Sequence, residues 1–346
     1  MLVQSPPTRL WPWFLWLGIF YAVWTWLVFG LDRWQDVRQH GGIALAMAAG
    51  SYVAGATPMG GGTVGFPILV LLFHESAQLG RDFSFAVQSI GMTSASILIL
   101  CRRQPLAWAM LQGACLGSLI GTPLGVLFLA PIVPALWIKL IFAVVWASFG
   151  LLHLTRIGEI AGHNGMTDFD ERWDFRTGLI AGLGAGATVA AVTGVGIDMV
   201  LYALLVLLCR ADLKIAIPTS VLIMAFTSLV GVATKALTTG VQPGVFENWL
   251  AAAPIVALGA PLGAFIVSLI GRKPTLIFVA FLCVGQFVWT CREEWPALGP
   301  GGLAIALAAV GLCLGGFEML RAKGARLALD REHSQSGPQA PMRTGP

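Results

Sequence analysis

The sequence predicts an all-α polytopic membrane protein with two inverted repeats. Each repeat combines a broken-helix hairpin with three transmembrane helices, and one extra helix lies at each end, giving about eight spans plus two hairpins, or ten crossings. Three observations predict this fold. The chain is 57% hydrophobic and only 11% charged, whereas soluble domains hold about 25% charged residues. A run broken by Gly and Pro, at 55–67, recurs near 186–206. The basic residues are also unevenly divided between the loops.

The N-terminal region, 1–41, contains one helix and a polar loop. Its apolar run Leu10–Leu31 is too long for a signal peptide, and no small-residue cleavage site follows it. We therefore expect a first membrane span here, because an apolar run of about 18 residues or more is long enough to cross a bilayer.

Repeat 1 is expected over 42–154 and begins with the first hairpin. As one straight helix, Gly41–Phe73 would be roughly 50 Å long, too long for a single crossing of a hydrocarbon core of about 30 Å. The glycines at its centre release the backbone from helical geometry. A hairpin that enters and returns fits this length better, and three full spans follow, at Phe83–Leu100, Leu106–Leu129 and Ile132–Leu154.

The second half repeats this plan after a polar cytoplasmic linker at 155–176. Repeat 2, at 177–292, aligns Gly50–Gly60 with Gly186–Gly196, an offset of 136. Its hairpin turns at Gly194–Asp198. The remaining elements are spans at Ile215–Ala236, Trp249–Ile270 and Thr275–Cys291, a final helix within 293–320, and a cytoplasmic tail at 321–346 whose composition predicts disorder.

The distribution of basic residues supports hairpins over single broken spans. With hairpins, most of the 21 Lys and Arg residues fall on one side of the membrane, whereas single spans would divide them almost evenly. This predicts a multi-pass protein of the bacterial inner membrane with both termini cytoplasmic. Two short full crossings in place of each hairpin would give the same parity. Because three spans separate the hairpins, the repeats are inverted and the hairpin tips should meet near the midplane.

The tips carry the candidate substrate-binding residues. A helix N-terminus has unsatisfied N–H groups and favours an anion, and glycines let a ligand approach those groups. Hydroxyls at the tips, and others found by aligning Gln88 and Ser89 with Pro218 and Thr219, add further donors. The predicted substrate-binding set is Thr57, Gly60, Gly61, Gly62, Thr63, Ser89, Thr193, Gly194, Gly196, Thr219 and Ser220. In contrast, we assign Gly125 and Gly263, which recur in matching Pro-Leu-Gly motifs, to close helix packing.

Asp198 is the one acidic residue at a tip. It is either the N-cap of the arm that starts at Met199 or an intramembrane carboxylate that couples transport to protons or cations. The two roles are compatible. An ionised Asp198 would repel an anionic substrate, so an anion carrier should have it protonated during part of the cycle.

Other residue patterns argue against an enzyme activity, a cofactor or a nucleic-acid partner. We find no Gly-x-Ser-x-Gly, Walker or His-Glu-x-x-His motif, so we expect no enzyme activity. The six cysteines are scattered, and His74 and His153 are expected to be single interfacial residues, so neither a metal nor any other cofactor is predicted. The basic residues lie in short loops, which excludes nucleic acid as a partner. Lys139 and Lys235 should snorkel to the outer interface.

A family resemblance rests on the same residues. The segment from Met59 to Pro67, the helix that bears Ala216, Thr219 and Ser220, and the Gly-x-Pro-Leu-Gly turns resemble the TauE/SafE sulfite exporter family, also called the 4-toluenesulfonate uptake permease family. The similarity covers 42–292. It implies a secondary carrier of sulfite, sulfonates such as sulfoacetate, or related organosulfur anions. The family's glycine triplet corresponds to Gly60–Gly62, whereas the second copy has Gly196, Ile197 and Asp198 in the matching places.

These observations predict a permease for a small anion, coupled to or exchanged with protons. The expected partners are that solute and the lipid bilayer, with a homo-oligomer left open. Two alternatives stay open at this point. One is a carrier of a cation or neutral solute in which Asp198 is the principal ligand, and the other is a membrane scaffold without transport activity.

Overall fold

The computed structural model describes residues 9–167, 169–270 and 272–335. Within these ranges the chain is built from helices joined by short turns and contains no strand. Nine of the described helices are long and apolar enough to cross a membrane. The predicted class, an all-α polytopic membrane protein, is confirmed.

The helices are numbered here in chain order, and several of them end in a wider π-helical turn. They are α1 Trp11–Gly30, α2 Trp34–Gln39, α3 Gly41–Ala56, α4 Gly62–Leu72, α5 Ala77–Cys101, α6 Trp108–Ile132, α7 Ala135–Ile160, α8 Glu171–Thr193, α9 Ile197–Leu208, α10 Leu213–Leu237, α11 Val245–Ile270, α12 Arg272–Glu293 and α13 Trp295–Gln335, which bends at Gly299.

Both broken helices fold back as hairpins. At the base of the first, the ring of Phe73 lies so close to Gly42 that a methyl group added there would be 2.9 Å from it. At the base of the second, the Thr167 N–H donates to the Cys209 carbonyl over 2.9 Å, and the Asp212 N–H donates to the Gly165 carbonyl over 2.6 Å. The chain therefore returns to the end from which each hairpin started.

The two halves repeat one another in backbone detail. After α4 the chain turns through His74 (φ 57°), and after α9 it turns through Arg210 (φ 51°). The next helix then begins behind a side-chain cap, Ser76 for α5 and Asp212 for α10. Each pair of residues is 136 positions apart, which is the offset that the hairpin sequences predict.

This offset corrects one alignment made from sequence. Because α5 and α10 also start 136 residues apart, the residue that corresponds to Gln88 is Met224, and not Pro218. The offset of 130 used to place Thr219 and Ser220 beside the tips was wrong. Apolar helices of similar composition carry few markers of register, so the sequence alone did not fix how these two helices align.

Glycines hold the two halves together by close helix packing. Helix α6 of the first half packs along α8 of the second half, and α11 of the second half packs along α3 of the first. A methyl group added at Gly125 would lie 2.2 Å from the Ala187 carbonyl oxygen, and one added at Gly263 would lie 2.4 Å from that of Tyr52. Small residues let membrane helices approach this closely. The packing role predicted for Gly125 and Gly263 is confirmed.

A matched pair of glycines on α8 tests this packing. A methyl group at Gly182 would meet the Ala114 carbonyl oxygen at 2.2 Å, whereas one at Gly184 would meet no atom within 4 Å. We expect Gly182→Ala to lower the free energy of unfolding by about 1–3 kcal/mol and Gly184→Ala to leave it unchanged or raise it slightly, since Ala favours helix. Thermal unfolding of the two purified variants in detergent checks this. Equal melting temperatures would contradict the packing model.

The linker and the second hairpin differ from expectation. Helix α7 continues to Ile160 and α8 begins at Glu171, so the non-helical linker is shorter than the predicted 155–176. The first arm of the second hairpin is consequently 23 residues long and adds a ninth candidate span to the predicted eight. Glu171 and Asp174 in its first turn favour this early start, because acidic side chains stabilise a helix N-terminus.

The expected disorder of the tail from residue 321 is also wrong as far as residue 335. Helix α13 continues to Gln335 because it docks on the rest of the protein. Arg321 pairs with Glu318 and with Glu159 of α7, and a methyl group at Gly324 would lie 2.2 Å from the Leu207 carbonyl oxygen. The remaining tail, 336–346, lies outside the described residues.

Candidate functional site

The tips of the two hairpins are in contact. The Gly60 N–H of the first tip donates to Asp198 Oδ2 of the second over 2.7 Å. Next to this bond, a methyl group added at Gly62 would lie 2.5 Å from Val195 Cγ1. Asp198 is only 1% exposed. The prediction that the two tips face each other is thus confirmed, and the substrate site between them stays a prediction.

The carboxylate of Asp198 serves both tips. Oδ1 accepts hydrogen bonds from the N–H groups of Gly196, at 3.2 Å, and Met199, at 3.0 Å, while Oδ2 accepts the bond from Gly60. Helix α9 starts at Ile197, so its N-cap position is held by Gly196 with φ 102°, and the prediction that Asp198 is the N-cap itself was wrong by two positions. Asp198 instead lies between two glycine-rich backbones, and both of its carboxyl oxygens accept their N–H groups.

Gln88 of α5 touches both tips and was missed as a site residue. Its Nε2 donates to the Gly194 carbonyl over 3.1 Å and to the Ser84 carbonyl over 2.8 Å. Its Oε1 is buried and has no hydrogen-bond partner among the described residues. A methyl group at Gly60 would lie 1.6 Å from this oxygen. Buried polar atoms without a partner are rare, so the site holds one free acceptor directed at the first tip.

Most of the predicted glycines line this contact, and the hydroxyls beside them are already bonded. Thr63 Oγ1 accepts from Trp146 Nε1 over 3.0 Å. Thr193 Oγ1 donates to the Val189 carbonyl over 2.8 Å, and Thr57 Oγ1 donates to the Val53 carbonyl over 2.7 Å. These hydroxyls shape the tips, and a ligand would have to compete with intramolecular partners for them.

Three predicted hydroxyls make their hydrogen bonds elsewhere. Ser89 Oγ donates to the Ala86 carbonyl and Ser220 Oγ to the Ala216 carbonyl, each within its own helix. Thr219 Oγ1 accepts from the Ala107 N–H at 3.1 Å, at the start of α6. No such bond brings these side chains to the tips, as expected from the corrected register.

Trp146 is a second residue that sequence reasoning missed. Besides its bond to Thr63, its ring lies 3.5 Å from where a methyl group at Gly196 would stand, and it stacks on Phe142 with centroids 4.0 Å apart. It therefore contacts both hairpins from α7. The sequence did offer a signal, a Trp in the middle of an apolar helix. A buried indole N–H needs an acceptor, so a polar partner inside the protein could have been expected.

The space at the tips is small. A cavity of about 10 Å³ is bordered by Gly61, Gln88 and Met92, which is room for about one water molecule. A larger and mostly apolar cavity of about 300 Å³ lies between the first hairpin and α12, with Thr63 at one side and Gln286 at the other. A substrate can reach Gly60 only if the tips separate.

A buried ion cluster lies next to the second tip. Asp82 accepts from Arg81 Nε at 2.9 Å and pairs with Lys235 Nζ at 3.2 Å, and the Arg81 carbonyl oxygen would be 2.3 Å from a methyl group at Gly194. Lys235 is 5% exposed. The prediction that it snorkels to the interface was wrong, because Asp82 of α5 holds it inside the protein. Lys139 pairs with Glu294.

His153 was also expected at an interface, and the structure places it in the core. It is fully buried, and its Nε2 shares a hydrogen bond of 3.0 Å with the Tyr202 hydroxyl of α9. This bond connects α7 to the second hairpin one turn beyond Asp198.

Removing the carboxylate from the ion cluster should destabilise the protein. Asp82→Asn leaves Arg81 and Lys235 buried without a counter-charge, which costs about 3–5 kcal/mol. The control, Asp36→Asn, breaks a partly exposed pair with Arg33, which is worth about 0–1 kcal/mol. Comparing detergent melting curves of the two variants checks this. If Asp82→Asn unfolds no earlier than Asp36→Asn, the buried ion cluster does not stabilise the protein.

The architecture defines a class of protein. Inverted hairpins whose tips meet inside a bundle of spans are the arrangement of secondary transporters, which bind their substrate between broken helices near the membrane midplane. The family model described as "Sulfite exporter TauE/SafE" matches residues 42–289, well over half of the chain. The protein belongs to the TauE/SafE family, a family of membrane transporters. No curated protein and no solved structure matches the chain.

Proposed function

We propose that the protein is a secondary transporter of a small anion, namely sulfite, a sulfonate or a related organosulfur anion, in the bacterial inner membrane with both termini cytoplasmic. One observation carries the proposal: the Gly60 N–H at the first tip already donates to an acidic oxygen, Oδ2 of Asp198. The same backbone donor suits a sulfite or sulfonate oxygen, since helix N-termini and glycine-rich turns favour anions.

Asp198 would then be the internal competitor of the substrate. In its ionised form it holds the tips together and repels a second anion. Protonation of Asp198 weakens its bond to Gly60 and removes the repulsion, so that a substrate anion can take its place. Such an exchange couples the binding of one anion to the uptake of one proton and needs no Lys or Arg at the tips.

The alternative in which Asp198 binds a cation is less well supported. Both oxygens of this carboxylate accept backbone N–H groups, three in total. A cation bound to Asp198 would have to compete with these N–H donors. The same N–H dipoles that stabilise the carboxylate would repel its positive charge.

Flux measurements test the proposal. We expect purified protein in liposomes to take up radiolabelled sulfite in a saturable way, with competition by sulfoacetate and acceleration by an inwardly directed proton gradient. Protein-free liposomes give the background. Flux of a cation alone would contradict the proposal, and the absence of flux for any solute together with a stable protein partner would indicate the scaffold alternative.

A further inference from the structure

A cavity of about 550 Å³ opens between the two halves on the face assigned to the cytoplasm. The first half contributes Gln104, in the loop after α5, and Ala161, at the end of α7. The second half contributes Asp212 and Lys214 at the start of α10, and Arg272 and Lys273 at the start of α12. Its position at the boundary between the repeats is where a path to the hairpin tips would emerge.

The lining of this cavity is strongly positive. It contains three cationic side chains, Lys214, Arg272 and Lys273, and one acidic residue, Asp212. The Asp212 carboxylate is partly engaged, since Oδ1 accepts the Lys214 N–H over 2.8 Å to cap α10. Converging cations in a cleft attract and concentrate small anions.

Arg272 supplies an independent sign that this cavity binds an acceptor. Its Nε is buried and has no hydrogen-bond partner among the described residues. Buried donors are normally satisfied, and a guanidinium is suited to oxyanions because its donors form a planar fork.

The corresponding cavity on the opposite face has the reverse charge. It measures about 170 Å³ and is lined by three carboxylates, Glu75, Glu293 and Glu294, together with His74 and Lys139. Lys139 is paired with Glu294, so the described lining of this mouth offers an anion no unpaired Lys or Arg. The two mouths are therefore not equivalent, although the helices around them are related by the repeat.

We propose that Lys214, Arg272 and Lys273 form a recruitment site for the transported oxyanion, at which Arg272 binds sulfite or sulfonate oxygens and the lysines attract the anion from the cytoplasm. This inference rests on the proposed function. The cavity is larger than such an anion, so the anion keeps part of its hydration and binds weakly enough to move on towards the tips.

The test uses the variant Lys214→Gln/Arg272→Gln/Lys273→Gln in vesicles of known orientation. Its control is Lys323→Gln/Arg326→Gln, which removes two exposed basic residues of α13 that do not line the cavity. We expect the KM for sulfite presented to the cytoplasmic face to rise about tenfold at low salt, the lower end of electrostatic focusing effects. The maximal rate from the cytoplasmic face should stay as in the wild type. An unchanged cytoplasmic KM, or an equal rise in the control, would overturn the inference.

Equilibrium binding separates this inference from the transport proposal. Sulfoacetate titrated into purified protein in neutral detergent should bind more weakly to the triple variant than to the wild type, whether or not flux is observed. Arg272→Lys is the control for misfolding, because it keeps the charge and loses Nε. We expect its affinity for sulfoacetate to lie between those of the wild type and the triple variant. If binding is the same in all three proteins, the recruitment site is wrong while the transporter proposal stands.

An anionic lipid headgroup presents the same oxygen chemistry as the substrate. The flux test is therefore run in vesicles of phosphatidylcholine alone and in vesicles that also contain phosphatidylglycerol. A low cytoplasmic KM in both supports a soluble oxyanion as the ligand. A low KM only with phosphatidylglycerol would assign the cavity to lipid and overturn the inference.

Discussion

Asp198→Asn is expected to leave anion exchange measurable and to abolish its dependence on the proton gradient. The asparagine oxygen can still accept the N–H groups of Gly196 and Met199, but its NH₂ group would face the Gly60 N–H, donor against donor. The bond between the tips is lost, and no group at this position can titrate. Anion exchange between equal concentrations on both sides should therefore continue, while accumulation driven by a proton gradient should fall to the background.

The pH dependence of exchange gives the same prediction a second readout. In the wild type, acidification should speed exchange, because protonated Asp198 releases Gly60. In Asp198→Asn the rate should be nearly independent of pH, and Asp198→Glu, which keeps a titratable group, should retain a slope. Loss of all flux in Asp198→Asn would point to a substrate bound by the carboxylate. Gradient-driven accumulation that persists in Asp198→Asn would remove Asp198 from the coupling mechanism.

Gly62→Ala is expected to abolish most transport, whereas Gly61→Ala should leave the transport rate nearly unchanged. The added methyl group at Gly62 would lie 2.5 Å from Val195 Cγ1 and 2.7 Å from Ser84 Oγ, between the two tips. At Gly61 the nearest atom is the flexible end of Met47, at 3.2 Å. Overpacking costs about 1–3 kcal/mol. If this strain falls on the closed state through which each cycle passes, flux drops about tenfold or more, since 1.4 kcal/mol is a factor of ten.

The measurement is the initial rate of sulfite uptake by equal amounts of each variant in liposomes. Melting temperatures in detergent provide the control for folding, because both variants must be intact for the comparison to hold. Equal uptake by Gly62→Ala and Gly61→Ala would show that the tips do not need the close contact seen in the structure.

The fold was predictable from sequence because its signals are local and repeated. The cluster of glycines with proline at 55–67 predicts a break in the helix, and loop charges report the side of the membrane without any knowledge of packing. Those two signals predicted the hairpins, their inverted orientation and the contact between the tip that holds Gly60 and the tip that holds Asp198. Helix lengths were less predictable, since the contacts that extend α13 past residue 321 involve distant residues such as Glu159.

The details of the site were only partly predictable. Which residue of α5 reaches the tips depends on its register, and the sequence placed Ser89 there where the structure places Gln88. The buried position of Lys235 depends on Asp82, a residue of another helix about 150 positions earlier. Such pairings arise from tertiary packing and leave no periodic trace in either segment.

The most direct test of the central claim, that the two hairpin tips meet at one anion-binding site, is a disulfide between them. Gly62→Cys and Val195→Cys are combined in a background in which the six native cysteines, none of them disulfide-bonded, are replaced by alanine. A Cβ at 62 lies 2.5 Å from Val195 Cγ1, and a disulfide keeps Cβ and the partner sulfur closer than non-bonded atoms allow. The account predicts rapid cross-linking under mild oxidation, slowed by saturating sulfoacetate; sulfite is not used here because it cleaves disulfides itself. A folded protein that fails to cross-link, or that cross-links at the same rate with and without sulfoacetate, would contradict it.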